Sequence, residues 1–247
     1  MQKILVIGGS GFIGSNLIEH FCKLNYTIIN YGRSPSAFIH ENVINIYGSI
    51  SDNEKLDNLF KEHRIEAVVH SMTTFSALED VEYCQEHLSL NLSAFIDLIS
   101  IMKKNKVNKL VYISSGGSVY GKSTSVLKEN DLTAPESFYG WMKESAENYL
   151  KFNSRIDSAF NYIIIRPANV YGKYQKLDKI IGVALKYAHL GLTLNIYGST
   201  GIRKDYIYIN DLCEIISSLM LSDAWNDIYN VGTGVGTTLQ EIIQSAK

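Results

Sequence analysis

A chain of 247 residues, 46% apolar and 19% charged, is long enough to bury a sizeable core and reads as one large α/β domain or a domain and a half. Its formal net charge of -2 leaves no surplus of Lys and Arg to neutralise phosphates, which argues against nucleic acid and against an anionic membrane surface. Cys22, Cys84 and Cys213 form an odd set without C-x-x-C spacing, and the histidines show no ligand spacing, so neither a disulfide framework nor a metal is expected.

The chain opens on Lys3–Ile7, where Ile4-Leu5-Val6-Ile7 reads as a buried strand rather than a signal peptide. No stretch approaches the ~20 apolar residues of a membrane span, so a cytoplasmic protein without a membrane partner is expected. Directly after the strand comes Gly8-x-x-Gly11-x-x-Gly14, leading into a helical period over Asn16–Leu24. One glycine suits the tight exit from the strand, one the close approach of backbone to a pyrophosphate, and one the packing of helix on strand. The free N–H groups and positive dipole end of such a helix face an anion.

Further along, strands are expected at Thr27–Tyr31, Val43–Ile46, Ala67–His70, Leu110–Ser114 and Tyr162–Arg166. Helical periods fall between them at Asn53–His63, Leu88–Lys104 and Ser137–Phe152, with Ser51-x-x-Glu54 as a capping box for the first. Lys103, Lys104 and Lys106 crowd one helix end, where cations suit the dipole. This alternation predicts an α/β fold built on a doubly wound parallel sheet of the Rossmann kind. From about Gly172 the rhythm changes to a helix over Asp178–Leu190, a short strand at Leu194–Tyr197, a helix over Asp211–Leu221, a strand at Ile228–Val231 and a last helix opened by the box Thr238-x-x-Glu241. Residues 1–172 are thus expected to form a dinucleotide-binding domain. Residues 173–247 read as a smaller C-terminal lobe, interleaved with the first and incomplete as it stands.

A second constellation is Tyr139-x-x-x-Lys143. Four residues apart on a helix, phenol and ammonium share one face, and the cation is expected to favour the phenolate, making the tyrosine an acid/base. The spacing is common by chance. Its position carries the weight, downstream of Ser115 at the end of a strand in the same sheet as the glycine turn.

Together these features resemble the extended short-chain dehydrogenase/reductase family, in its nucleotide-sugar epimerase/dehydratase branch. The strings that carry the resemblance are Gly8 to Gly14, Ser114-Ser115-Gly116-Gly117-Ser118-Val119-Tyr120-Gly121, Tyr139-x-x-x-Lys143, Arg166-Pro167-Ala168-Asn169-Val170-Tyr171-Gly172, Asp205 to Asp211 and Tyr229-Asn230-Val231-Gly232. Their layout is similar to that of UDP-sugar 4-epimerases. The resemblance implies transient hydride transfer at sugar C4 of a nucleoside-diphosphate sugar, with Tyr139 taking the hydroxyl proton and Lys143 holding the nicotinamide ribose. It implies dinucleotide contacts from Gly8, Gly11, Phe12, Ile13, Gly14, Arg33, Ser34, Ser49, Ile50, Asn91, Tyr139, Lys143 and Arg166. Asn169, Arg203 and Lys204 would meet the sugar nucleotide's diphosphate. A homodimer through helices Leu88–Lys104 and Ser137–Phe152 is implied as well, although Phe95, Leu98 and Ile99 suit a sheet-facing stripe equally.

Two departures stand out. The family's catalytic Ser or Thr falls on Gly116, leaving Ser115 or Ser118 to substitute, or merely to satisfy local backbone. The Asp-Glu pair of the dehydratases is also missing there, which disfavours a 4,6-dehydratase. Where NAD enzymes offer a carboxylate to the adenosine ribose this chain has Gly32, then Arg33 and Ser34, a set suited to a 2′-phosphate; NADP is therefore preferred over NAD, with stacking of Arg33 on adenine as the other reading. The diphosphate-binding Arg falls on Lys204, with Arg203 one place earlier. Three functions fit: a 4-epimerase, an NADPH-dependent 4-keto-sugar reductase, and a non-catalytic dinucleotide or sugar-nucleotide binding protein.

Overall fold

The computed structural model describes residues 2–74, 84–123, 125–195 and 201–245. Strand β1 (Lys3–Ile7) lies inside a seven-stranded sheet, next to its middle strand. Its alternation sorts the core into two layers: Leu5 and Ile7 face one side, Ile4 and Val6 the other, all at most 2% exposed. Around it stand β2 (Thr27–Gly32), β3 (Val43–Tyr47), β4 (Ile65–His70), β5 (Lys109–Ile113), β6 (Asn161–Pro167) and β9 (Asp227–Val231), in the order β3-β2-β1-β4-β5-β6-β9, every neighbour parallel.

The chain runs outward from β1 through β2 to β3, then crosses back to β4 and proceeds the other way. That reversal leaves a crevice at the carboxyl ends of β1 and β4, where ligands of such sheets bind. One face is covered by α2 (Asn53–Glu62), α4 (Ala94–Lys104) and α6 (Phe138–Ile156), which bury Phe60, Phe95, Leu98, Ile99 and Leu150. On the other face α1 (Phe12–Lys23) and α8 (Ile209–Leu221) bring Leu17, Phe21, Leu212 and Ile216 against Ile4 and Val6. Phe95, Leu98 and Ile99 thus belong to the core and not to an outer contact.

The second half is woven into the first. β9 extends the large sheet beside β6, while β7 (Asn169–Tyr171), β8 (Arg203–Tyr208) and β10 (Gly236–Thr238) form a small separate sheet, parallel between β7 and β8 and antiparallel between β8 and β10. Helices α7 (Ile180–His189) and α9 (Leu239–Ser245) flank it.

Several expectations shift. Helix α2 is capped by Asp52, which accepts from the Lys55 amide at 3.0 Å, so Ser51 stays outside and its box does not form. The second box does: Glu241 accepts from the Thr238 amide at 2.7 Å, and the Glu241 amide donates to the Thr238 hydroxyl at 3.2 Å. The single helix expected over Leu88–Lys104 is three pieces, α3 (Cys84–Leu88), a π-helical turn (Ser89–Ser93) and α4. Of the strand expected at Leu194–Tyr197, Leu194 and Asn195 are irregular, and Ile196 and Tyr197 lie outside the described residues.

Candidate active site

The glycine turn is forced by close approach. Gly8 has φ +88, and a Cβ there would stand 2.7 Å from the Met72 amide nitrogen at the end of β4. At Gly14 a Cβ would run into the Gly8 carbonyl oxygen, so only glycine lets α1 start this close to β1. Gly11 is the N-cap, in extended conformation and with no side chain to cap; no acidic residue occupies the first turn. The leading N–H groups of α1 therefore face outward for an anion, which fits a dinucleotide pyrophosphate.

In front of this turn lies a cleft of about 390 Å³. Gly8, Gly11, Phe12 and Ile13 line one end, and Arg33, Ser34, Ser49 and Ile50 line the other. Tyr31 fixes that far rim by donating to the Ser49 carbonyl at 2.8 Å. Gly32 has nothing within 4 Å of where its Cβ would point, so the carboxylate position of an NAD enzyme is open space. Sequence reasoning missed Ser71, Met72, Thr73 and Leu90, which also line the cleft. Ser71, Met72 and Thr73 carried a signal, since residues directly after β4 sit at the carboxyl end of a strand next to β1; Leu90, on the π-helical turn, carried none.

Tyr139 lies in the first turn of α6, whose N-cap Ser137 accepts from the Gly140 amide at 3.1 Å. Together with Lys143, Asn91, Met72 and Thr73 it surrounds a small cavity beside the cleft. Burial pushes the Tyr139 phenol above its ordinary value, and the hydrogen bond with the Ser115 hydroxyl opposes the rise. This reverses the expected downward shift. The Lys143 ammonium is committed elsewhere: it donates to the Ile113 carbonyl at 2.8 Å, lies 4.8 Å from the Tyr112 ring centre, and is 5.8 Å from that of Tyr139. Burial lowers Lys143 to about 8, against a pull upward from Glu147.

Ser115 occupies the N-cap position of the short helix α5 (Gly116–Val119) without a side-chain cap, and its hydroxyl donates to the Ser118 hydroxyl at 3.2 Å. Three hydroxyls, Tyr139, Ser115 and Ser118, are therefore linked. Gly116 is a glycine for a spatial reason, because a Cβ would stand 3.1 Å from the carbonyl oxygens of Arg166 and Pro167. A side chain there would require the backbone leaving β6 to give by a few tenths of an ångström.

Asn91, on the π-helical turn, pins the segment after β4: its carboxamide donates to the Thr74 hydroxyl at 2.6 Å and accepts from the Thr74 amide at 3.0 Å. Arg166 departs from expectation. It is 2% exposed and its guanidinium is spent on Glu147, at 2.5 Å, and on the Tyr120 hydroxyl, at 2.6 Å. Glu147 also accepts from Ser114 at 2.5 Å, so Arg166 braces the strand end that carries Ser115 and is not among the residues lining the cleft.

A second cleft, of about 300 Å³, is lined by Asn169, Tyr171, Gln175, Lys179, Lys204 and Tyr206 among others. Asn169 is held there by donating to the Asp205 carbonyl at 2.8 Å. Of the two adjacent cations only Lys204 lines it. Arg203 is turned toward β10 and α9, bonded to the Gly236 carbonyl at 2.6 Å and paired with Glu241 at 3.4 Å.

Residues 4–232 match the NAD dependent epimerase/dehydratase family, and the chain belongs to it. A putative UDP-glucose 4-epimerase of Methanocaldococcus jannaschii is 30% identical over 253 residues, which cover 99% of this chain and 81% of the relative. A dTDP-4-dehydro-6-deoxyglucose reductase of Escherichia coli is 28% identical over 253 residues, covering 98% and 80%. Among solved structures, the UDP-glucose 4-epimerase of Thermotoga maritima with UDP-glucose superposes with a TM-score of 0.91 at 29% identity, over 99% of this chain and 81% of that one. Among the described residues no helix is long and apolar enough to cross a membrane.

The depressed Lys143 has a consequence for stability. Folded, it releases its proton near 8 instead of 10.5, so its burial costs stability wherever it is charged and that cost fades as pH climbs between those values. Relative to Lys143→Met, the wild type is expected to gain stability from about pH 8 to pH 10.5. Urea unfolding across that range measures it, and a pH-independent difference would contradict the assignment.

Proposed function

We propose that this chain is a nucleotide-sugar 4-epimerase working by transient hydride transfer at sugar C4. The observation that carries the reading is the linked set of Tyr139, Ser115 and Ser118 hydroxyls next to Lys143, beside a cleft whose glycine turn fits a dinucleotide. A bound nicotinamide supplies the hydride acceptor and donor. The Tyr139 oxygen takes the 4-hydroxyl proton and returns it, while Ser115, backed by Ser118, stands in for the side chain that Gly116 lacks. Lys143, anchored on the Ile113 carbonyl, holds the cofactor ribose in this reading. Residues 1–172 hold the dinucleotide in this reading. Residues 173–247 supply the sugar-nucleotide side, with Lys204 and Asn169 toward the diphosphate and β9 threaded back into the large sheet.

For the cofactor we infer NADP over NAD, because the ribose end of the cleft presents Arg33 and Ser34 beside an open Gly32 and no carboxylate. The same feature supports a second reading, an NADPH-dependent 4-keto-sugar reductase. The similarity to the E. coli reductase points the same way.

We further propose a homodimer through α6. Phe138, Trp141, Phe152 and Ile156 recur at helical spacing on one face, opposite the face that buries Lys143 and Leu150. Trp141, Phe152 and Ile156 are 43%, 53% and 63% exposed, and Phe138 stacks on Trp141 at 5.5 Å. An exposed apolar stripe of this kind supports the reading.

Incubated with UDP- and dTDP-sugars, the purified protein is expected to interconvert 4-epimers without added coenzyme; a strict need for stoichiometric NADPH would install the reductase instead. Tyr139→Phe should lose turnover by about 10²-fold or more while still binding dinucleotide. Gly32→Asp, which enters open space, should shift the ratio of NADP to NAD affinity toward NAD by about tenfold or more; a wild type that already favours NAD would refute the cofactor assignment. Trp141→Glu is expected to give a monomer in sedimentation, and an unchanged dimer would move the interface off α6.

A further inference from the structure

Helix α1 lines the first cleft and is bonded to a turn that leads into the second. Its first turn carries Phe12 and Ile13 into the dinucleotide cleft. Farther along, Asn16 and Glu19 meet the segment that leaves β7. That segment bends hard: Gly172 has φ +140 and Tyr174, which has a Cβ, sits at φ +65 in the left-handed region that L-residues avoid. Something has to hold it there. Asn16, 4% exposed, donates from Nδ2 to the Lys173 carbonyl at 2.7 Å and to its own helix at Phe12 O at 2.8 Å. One Glu19 oxygen, Oε2, accepts from Lys173 Nζ at 2.7 Å and from the Tyr174 hydroxyl at 2.9 Å, and Lys173 Nζ lies 4.7 Å from the Tyr174 ring centre. Just beyond, Gln175 folds back to donate to the Val170 carbonyl at 3.0 Å and lines the second cleft with Asn169 and Lys204.

We propose that Asn16 and Glu19 are positioning residues for the sugar nucleotide, latching the 172–175 turn to α1 and so setting the wall of the second cleft against the glycine turn of the first. The role rests on reading the second cleft as the sugar-nucleotide side. The Lys173–Glu19 pair contributes little to global stability, since Lys173 is about half exposed. What three bonds to one bent segment do achieve is a fixed local geometry. Burial pushes the Glu19 carboxyl up, but the bonds from Lys173, Lys23 and Tyr174 outweigh it and hold it at about 2, so the latch stays charged throughout the neutral range. Hydride transfer needs the sugar carbon and the cofactor held at matched positions, and a displaced wall weakens that match first at the substrate.

The test compares wild type with Glu19→Ala and Glu19→Gln, the latter keeping an acceptor for the Tyr174 hydroxyl. Three quantities are read: KM and kcat with UDP- and dTDP-sugars, the Kd for dinucleotide, and hydrogen exchange of the amides in 172–175. Glu19→Ala is expected to exchange faster in that segment and to raise KM about tenfold, with kcat and dinucleotide Kd within about twofold and Glu19→Gln in between. Faster exchange with an unchanged KM overturns the positioning role, as does a dinucleotide affinity that falls in step with KM. A wild type that binds dinucleotide but none of the sugar nucleotides overturns the reading of the second cleft, and this role with it.

Discussion

Glu147 has no exposure at all, and a carboxylate in that position must be neutralised where it sits. Arg166 from β6 supplies the charge and Ser114 at the end of β5 supplies a hydroxyl, both at 2.5 Å. One side chain thereby ties α6 to two neighbouring strands of the large sheet. Lys143 and Tyr139 stand one and two turns before it on the same helix, and Ser115 is the residue next to Ser114. The active-site groups are placed by this buried pair more than by their contacts with one another. A hydrophobic replacement of the pair could pack as well, but it would remove the bonds that tie the strand end to the helix.

The same burial sets the electrostatics. Lys143 lies fully within the core with its ammonium on a backbone carbonyl, and it is held near 8 by the loss of water. Tyr139 is shifted upward by burial, opposed by a hydroxyl hydrogen bond. A phenol that resists ionisation and an ammonium that readily loses its proton are poor charges in isolation. Groups shifted in this way by burial cluster at functional sites.

Much of this was legible in the sequence, and the reasons are local. Lys3–Ile7 is a strand within its expected bounds because an apolar run inside a parallel sheet has no competing period. The glycine turn was legible because Gly8 and Gly14 are demanded by backbone contacts that no other residue allows. Strands β7, β8 and β10 were not anticipated: they are short, β8 opens on Arg203-Lys204-Asp205, and their faces are half exposed. Ser51 lost its helix to Asp52 because a carboxylate one residue later caps equally well. Arg166 is a cofactor contact by motif and a buried brace by structure, a difference that depends on the distant Glu147. The direction of the Tyr139 shift was missed for a related reason, since sequence spacing reports that Lys143 shares its helix face but not that Ile113 has claimed the ammonium.

An epimerase and a reductase occur among relatives at nearly equal identity, and the geometry explains how that can be. In the reading proposed above, Tyr139, Lys143 and Ser115 would handle a proton at a carbon bearing oxygen; that task is the same whether the hydride returns to the sugar it left or comes from a fresh coenzyme. The distinction has to be made away from these residues. In that reading one place would be the rim at Arg33 and Ser34, on the dinucleotide side, and the other the second cleft, where the room left for a keto sugar to turn over would count. Gln175, on the wall of the second cleft, follows a turn fastened to the helix that opens at the glycine turn, so one rigid element ties the two clefts together. Selectivity would then be carried by loops and by the helix between them, while Tyr139, Lys143 and Ser115 stay tied to the buried pair beneath.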